Sequence, residues 1–207
     1  MTRRSPAAVL VLVSSLVFSL FFALSASAGS KDSTLKIKAL PKTVDEFKAL
    51  RDDLAKTPHG GVAVMIVAMT VYSDDAKLGT QFLTLALDSE KLSDGKDGVS
   101  GKQPSPGILR DFKDRNGAKP WVAKSAFQGT SPQTGYVLPS GGLSIKFKEQ
   151  DGDVKDTTAK IFVYTSGADA PKPMQIKKND KGLWKATEWS SFQGNCRPPE
   201  GKKSDDL

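Results

Sequence analysis

Hydrophobic residues recur at helical spacing through the first half of the chain. Residues 43–54 combine a capping box at their start with an apolar stripe, which predicts an amphipathic helix. Residues 62–72 are apolar on every side, which favours a buried central helix over a buried strand, although periodicity alone does not separate the two. Asp74-Asp75 is typical of a helix cap, and the core side of the helix that follows runs over 78–87. The pattern therefore predicts a layer of three helices.

The last third of the chain changes to a period of two. Residues 143–148 alternate apolar and polar side chains, which predicts a half-buried strand. A second strand is predicted over 159–164, where Ala159, Ile161 and Val163 alternate with Lys160, Phe162 and Tyr164, so that it is apolar on both faces at its end. Two further strands, 174–177 and 183–189, flank a tight turn at 179–182. Helices followed by an uninterrupted antiparallel β-meander indicate an α+β fold, here as a single domain over 43–199.

Segments between these elements are rich in glycine and proline. Composition predicts a loop over 93–107, a short helix over 108–113 and a long irregular connector over 116–142. Connectors of that length inside a domain often carry function. Polar composition predicts a flexible lead at 29–42 and a disordered tail at 200–207.

The N-terminus has the three parts of a secretory signal peptide. Arg3 and Arg4 precede an uncharged apolar run over 7–24, and Ala26-Ser27-Ala28 is an A-x-A cleavage site. We expect cleavage after Ala28 and an extracytoplasmic protein, periplasmic or secreted, with no stable membrane insertion and no nucleic-acid partner. The alternative is an uncleaved anchor, because the run is near the lower limit for spanning a bilayer.

The net positive charge of the chain indicates the class of partner that it could bind. The formal net charge is +7, of which Arg3 and Arg4 contribute two, and the lysines are scattered along the chain. Outside the cytoplasm a basic surface can meet anionic lipid, polysaccharide or cell-wall polymer. Scattered lysines also solvate turns and discourage pairing at strand edges. We therefore expect an envelope protein or polysaccharide as partner.

Candidate chemistry is sparse. The chain has one histidine, His59, expected in an exposed turn, and one cysteine, Cys196, so no internal disulfide, metal site or cofactor is predicted. Cys196 is either a free thiol or an intermolecular bridge that would make a dimer. No catalytic motif is present, which favours a non-enzymatic binding or interaction module of the envelope.

Aromatic side chains supply the binding candidates. Trp121 and Tyr136 in the connector, with Trp189 after the last strand, combine apolar faces with polar tips suited to a wet binding surface. Two alternatives stay open: an extracytoplasmic hydrolase using Glu188 or Cys196, and a carrier with a small-molecule pocket between helices and sheet.

Several strings of residues carry a resemblance. They are Ala126 to Pro132 (AFQGTSP), Tyr164 to Pro173 (YTSGADAPKP), Lys177 to Lys185 (KKNDKGLWK), Glu188 to Ser191 (EWSS) and Arg197 to Pro199 (RPP). Together they resemble an uncharacterised bacterial family of exported domains of unknown function, over about 44–199. That resemblance implies an envelope location and transfers no catalytic residue. The final hairpin also resembles that of NTF2-like cone folds, an alternative architecture.

Overall fold

Five antiparallel strands form the main sheet of the computed structural model, which describes residues 29–201. The predicted signal peptide (1–28) and residues 202–207 lie outside the described part. The strand order is β1-β4-β5-β6-β7. The five strands are β1 (Ser30–Ile37), β4 (Leu143–Gln150), β5 (Thr158–Val163), β6 (Lys172–Lys178) and β7 (Trp184–Glu188).

The first strand replaces most of the predicted flexible lead. β1 pairs with β4 in antiparallel register from Ser30 opposite Gln150 to Ile37 opposite Leu143. Its inward side chains are mixed in polarity, and only Leu35 and Ile37 are large and apolar. So weak a local pattern predicts a flexible lead. The strand forms because it pairs with the edge of β4, about 110 residues later in the chain.

The helical layer covers one face of this sheet, and the α+β fold in a single domain is confirmed. α1 (Val44–Leu54), α2 (Pro58–Asp74) and α3 (Ala76–Ala86) pack together. Residues 60–72 of α2 are buried on all sides, which settles the helix-or-strand alternative for that run. Gly60-Gly61 lies inside α2, where a Cβ on Gly61 would come within 2.6 Å of the Trp184 Cβ on β7. Whether the architecture is an NTF2-like cone stays a prediction.

The segments predicted to be irregular contain regular structure. The 93–107 loop holds a hairpin of β2 (Leu92–Val99) and β3 (Lys102–Pro104). α4 (Pro106–Phe112) then runs into a single π turn (Lys113–Gly117), and α5 (Trp121–Lys124) begins the long connector. A final short helix, α6 (Ser190–Gln193), follows β7. Within residues 29–201, no helix is long and apolar enough to cross a membrane.

Candidate functional site: the open face of the sheet

The two faces of the main sheet differ in burial. Along β4 and β5, Ile145, Phe147, Ile161 and Val163 are buried against the helical layer, and the residues between them are only partly buried. The register carries this alternation across four strands. We call the outward side chains the open face: Asp32, Thr34, Lys36, Ser144, Lys146, Lys148, Lys160, Phe162, Tyr164, Pro173, Gln175 and Lys177.

Positive charge dominates the open face, which has five lysines against one aspartate. Asp32 lies 2.8 Å from the Lys146 ammonium, and the hydrogen bond from Lys146 lowers the pKa of Asp32. Lys148 and Lys160 form no ion pair with any residue of the described range. The face therefore carries uncompensated positive charge at its centre.

Two aromatic rings lie among these lysines. The Lys146 ammonium is 4.6 Å from the centroid of the Tyr164 ring, and that of Lys160 is 4.8 Å from the Phe162 centroid. Tyr164 donates a hydrogen bond from its hydroxyl to Asp32 (3.1 Å), and partial burial with the nearby Asp32 raises the pKa of Tyr164. A cation–π contact holds each ring in place on the sheet, and the hydrogen bond to Asp32 further fixes Tyr164.

A cavity of about 300 Å³ opens where β4 and β5 separate. After Tyr164 the chain no longer pairs with β4. The segment around Phe127 pairs with β4 there instead, through a bridge to Ile145. We call the space between them the split pocket. The Thr165 hydroxyl oxygen is buried there without a hydrogen-bond partner in the described residues. Its lining comprises 125–130, Lys146 and 164–166.

The split pocket is rich in hydrogen-bonding groups. The Thr130 and Ser166 hydroxyls are 3.0 Å apart, and Ser144 donates its hydroxyl hydrogen to the Gln128 side-chain oxygen (2.9 Å). Hydroxyls, an amide and the Lys146–Asp32 pair lie beside one aromatic wall, Tyr164. Such a lining can donate to and accept from the hydroxyls of a sugar, and can pair with an acidic substituent.

A second cavity, of about 320 Å³, lies toward the other end of the open face. Lys155, Lys160 and Lys177 line it together with Gln175, while Lys177 also pairs with Glu90 at 3.0 Å. Three strand spacings separate β1 from β6, so the face is about 14 Å wide between them. An extended ligand can therefore contact both cavities and the two rings between them.

Of the predicted binding aromatics, two are in the core. Tyr136 is fully buried, donates its hydroxyl hydrogen to the Arg197 carbonyl oxygen (2.6 Å), and has its pKa raised chiefly by burial. Trp189 is 7% exposed and stacks on Phe112 with centroids 5.5 Å apart. Trp121 is partly buried on α5. A binding role for these residues stays a prediction, and contact with Tyr136 or Trp189 would require movement of packed side chains.

The acid of the hydrolase alternative has the wrong environment for a general acid. Glu188 is exposed and accepts a hydrogen bond from the Ser190 backbone N–H (2.7 Å) at the start of α6. Hydrogen bonding to Ser190 lowers the pKa of Glu188, whereas a general acid working near neutral pH needs a raised one. The observed contact gives Glu188 a structural role at the first residue of α6.

Cys196 and His59 have different neighbours in the structure. Cys196 is a partly exposed free thiol whose Sγ is 3.9 Å from the Tyr136 hydroxyl, and an intermolecular bridge through it stays a prediction. His59 is in the first turn of α2 rather than in an exposed turn. Its ring packs edge-on to Phe147, its Nε2 is 3.5 Å from Glu149, and burial lowers its pKa.

Three of the distinctive sequence strings, 126–132, 164–173 and 197–199, meet beside the split pocket. Ser166 donates its backbone N–H to the Ser125 carbonyl oxygen (2.9 Å), and Arg197 donates its backbone N–H to that of Gly167 (2.8 Å). Gly167 packs so tightly that a Cβ there would meet the Tyr136 hydroxyl at 2.8 Å. These three strings therefore pack against one another, and the first two line the split pocket.

Sequence reasoning missed Phe162 and the central lysines as site residues. The signal is present in the alternation of β5, where Phe162 and Tyr164 occupy outward positions that a half-buried strand normally gives to polar residues. Both rings are partly buried, and their outward positions make them candidates for ligand contact.

A family model for a domain of unknown function, DUF6935, matches residues 39–200 of the chain. This match confirms the resemblance to an uncharacterised domain family that the sequence strings indicated. No curated protein matches the chain, and no solved structure matches it. The chain belongs to the DUF6935 family, a domain of unknown function.

Proposed function

We propose that this protein is a non-enzymatic binding module outside the cytoplasm, and that its open face binds an acidic polysaccharide. One observation carries the proposal: Phe162 and Tyr164 lie on the outward side of the sheet, each with a lysine ammonium over its ring. Aromatic faces pack against the apolar C–H faces of sugar rings, and the lysines pair with acidic substituents.

Polymer binding suits the layout better than capture of one small molecule. The charge is spread over four strands, and two shallow cavities flank the rings. A chain of sugars lying across the strands can put one unit against each ring and one in the split pocket. Surface lysines are screened by salt, so binding should weaken as ionic strength rises.

The predicted cleavage site fits the fold. The Gly29 backbone nitrogen lies 2.8 Å from the Asp151 carboxylate, immediately before β1 begins. Cleavage after Ala28 would make that nitrogen a charged amino group and turn this contact into an ion pair. An exposed pair of this kind contributes up to about 1 kcal/mol, and it would hold the new N-terminus against the sheet.

Binding is tested by isothermal titration calorimetry with alginate, a polyuronate, and with dextran as the neutral polysaccharide. We expect saturable binding of alginate that weakens with salt, and at least tenfold weaker binding by the F162A/Y164A double variant. A tenfold change corresponds to about 1.4 kcal/mol, which is modest for two aromatic contacts. Poly-glutamate provides acidic charge without sugar.

A charge-matched pair of variants tests the lysines. K148E/K160E changes two open-face lysines, and K56E/K119E makes the same charge change at exposed lysines outside that face. We expect the first pair to lose alginate binding and the second to keep it. Equal loss in both, or poly-glutamate binding as tight as alginate binding, would contradict a sugar-binding face.

Export is tested separately from binding. Intact-mass measurement of the protein recovered from the envelope or the medium should give a chain that begins at Gly29. A chain that retains residues 1–28 would contradict cleavage and leave the binding proposal intact.

A further inference from the structure

A groove between the helices and the β2–β3 hairpin is separate from the open face. Its cavity is about 590 Å³, within the range of small-molecule sites. The C-terminal part of α2, the start of α3, α4 and the π turn all contribute to it. The lining residues are Tyr72, Ala76, Lys77, Thr80, Asp97 and Leu109, with Arg110 and Lys113.

Three cations in this groove have no acidic partner. Lys77, Arg110 and Lys113 form no ion pair with any residue in 29–201. Basic residues just outside the groove are paired. Lys124 contacts Asp74 at 2.8 Å, and Arg115 contacts Asp111 at 2.7 Å. The three groove cations therefore differ from these two neighbours in having no carboxylate within ion-pair distance.

The position of Lys77 at the start of α3 adds to the positive potential of the groove. Lys77 is in the first turn of α3, where the aligned peptide dipoles already place positive charge. That turn contains no acidic residue, and only the N-cap Asp75 offsets it, by accepting from the Lys77 and Leu78 backbone N–H groups. An anion in the groove would relieve the unfavourable placement of Lys77.

Tyr72 gives the groove an aromatic floor. Tyr72 is only 7% exposed, and its ring rests against Phe112, which in turn stacks on Trp189. The close crossing of α2 and α3 at Gly79 fixes its backbone. Leu109 and Ala76 extend the apolar surface beside it. This floor suits an apolar body, while the rim of cations suits an anionic end.

Two acids moderate the charge without cancelling it. Asp97 lines the groove from the hairpin, and Asp114 is close enough to Tyr72 to raise the pKa of its hydroxyl, after burial as the main cause. The lining itself carries three cations, Lys77, Arg110 and Lys113, against one acid, Asp97, and is therefore net positive. The guanidinium of Arg110 is the group best shaped to hold a carboxylate or phosphate through two parallel hydrogen bonds.

We propose that this groove binds a small organic anion, a carboxylate or phosphate monoester joined to an apolar body. Tyr72 and Leu109 contact the apolar body, and Arg110, Lys77 and Lys113 hold the anionic end. The site is independent of the open face, because the two share no lining residue.

Titration with phenyl phosphate, followed by two-dimensional NMR of the protein, tests this proposal. We expect saturable shifts at Lys77, Arg110 and Lys113, and binding at least fivefold tighter than that of inorganic phosphate. Phenylacetate distinguishes the two sources of negative charge, and saturable binding of either probe in the groove supports the proposal. Shifts elsewhere, or no saturation by either probe, would overturn it.

Matched arginine variants complete the test. R110M removes a groove cation, and R115M removes the paired arginine outside it. We expect at least tenfold weaker probe binding for R110M and less than a twofold change for R115M. The second groove variant K113M keeps the test decisive if R110M unfolds. Equal effects of the groove and control variants would overturn the proposal, and K148E/K160E should keep the wild-type affinity for phenyl phosphate.

Discussion

The crossing of α2 and α3 at Gly79 has almost no room for a side chain. A Cβ on Gly79 would lie 2.5 Å from the Tyr72 backbone nitrogen and closer still to its Cα. Both neighbours are main-chain atoms of Tyr72 in the last turn of α2, so no rotamer change can relieve the clash. We expect Gly79→Ala to push the two helices apart.

Two effects of opposite sign set the size of this change. Overpacking a core typically costs 1–3 kcal/mol, and a backbone clash belongs near the upper end of that range. Replacing glycine by alanine inside a helix returns about 1 kcal/mol. The net loss in the free energy of unfolding is about 2 kcal/mol, which lowers Tm by roughly 4–8 °C for a chain of this size.

Gly107 in α4 is the matched control. A Cβ there would meet nothing within 4 Å, and Gly107 does not have a positive φ. Gly107→Ala should therefore raise the free energy of unfolding by about 0.5 kcal/mol. Urea unfolding and thermal melts of both variants measure the difference. A Gly79→Ala protein as stable as wild type would refute the reasoning about the α2–α3 crossing.

Three further changes test other parts of the fold by urea unfolding. Lys185 donates to the Leu85 carbonyl oxygen, and burial lowers its pKa from 10.5 to about 8, so the folded state holds this proton less tightly than the unfolded chain does. Wild type should therefore gain stability relative to K185M by up to about 3 kcal/mol between pH 7 and 10.5, and a pH-independent difference would contradict this. Y136F loses the buried hydrogen bond to the Arg197 carbonyl oxygen and should be about 1–2 kcal/mol less stable, whereas a neutral effect would mean that the carbonyl finds another donor. Thr57→Ala removes the N-cap of α2 and should cost about 1 kcal/mol.

The elements that the sequence predicts well are those whose signal is local. α1 has a capping box and an apolar stripe, and in the structure Thr43 accepts from the Glu46 backbone N–H as that motif requires. β4 alternates apolar and polar side chains, and the inward positions of β5 are apolar, because one face of the sheet is buried and the other is not. Both kinds of pattern are complete within about ten residues.

Elements that lack a periodic pattern of apolar side chains are predicted poorly. β1 exists because β4 pairs with it from the other half of the chain, and the β2–β3 hairpin is short, polar and rich in glycine. Its strands pair through the backbone, with a register shift between Asp94 and Val99, so side-chain periodicity does not reveal them. Composition alone predicts a loop in both places.

The candidate sites also have features that local sequence patterns predict and features that depend on the tertiary structure. The outward positions of Phe162 and Lys160 follow from the alternation of β5 once the inward face is known. The split pocket does not, because it depends on where β4 and β5 separate and which segment fills the gap. Tyr136 is the opposite case: its place in a glycine-rich connector predicts exposure, but its hydroxyl anchors it under the Arg197 segment.

The most direct test of the central claim is a map of backbone amide shifts while alginate is added to isotope-labelled protein. We predict that the shifted amides cluster on β4, β5 and β6 and around the split pocket, and that F162A/Y164A abolishes them. Shifts confined to the helical layer, or no shifts at saturating alginate, would contradict a polysaccharide-binding open face.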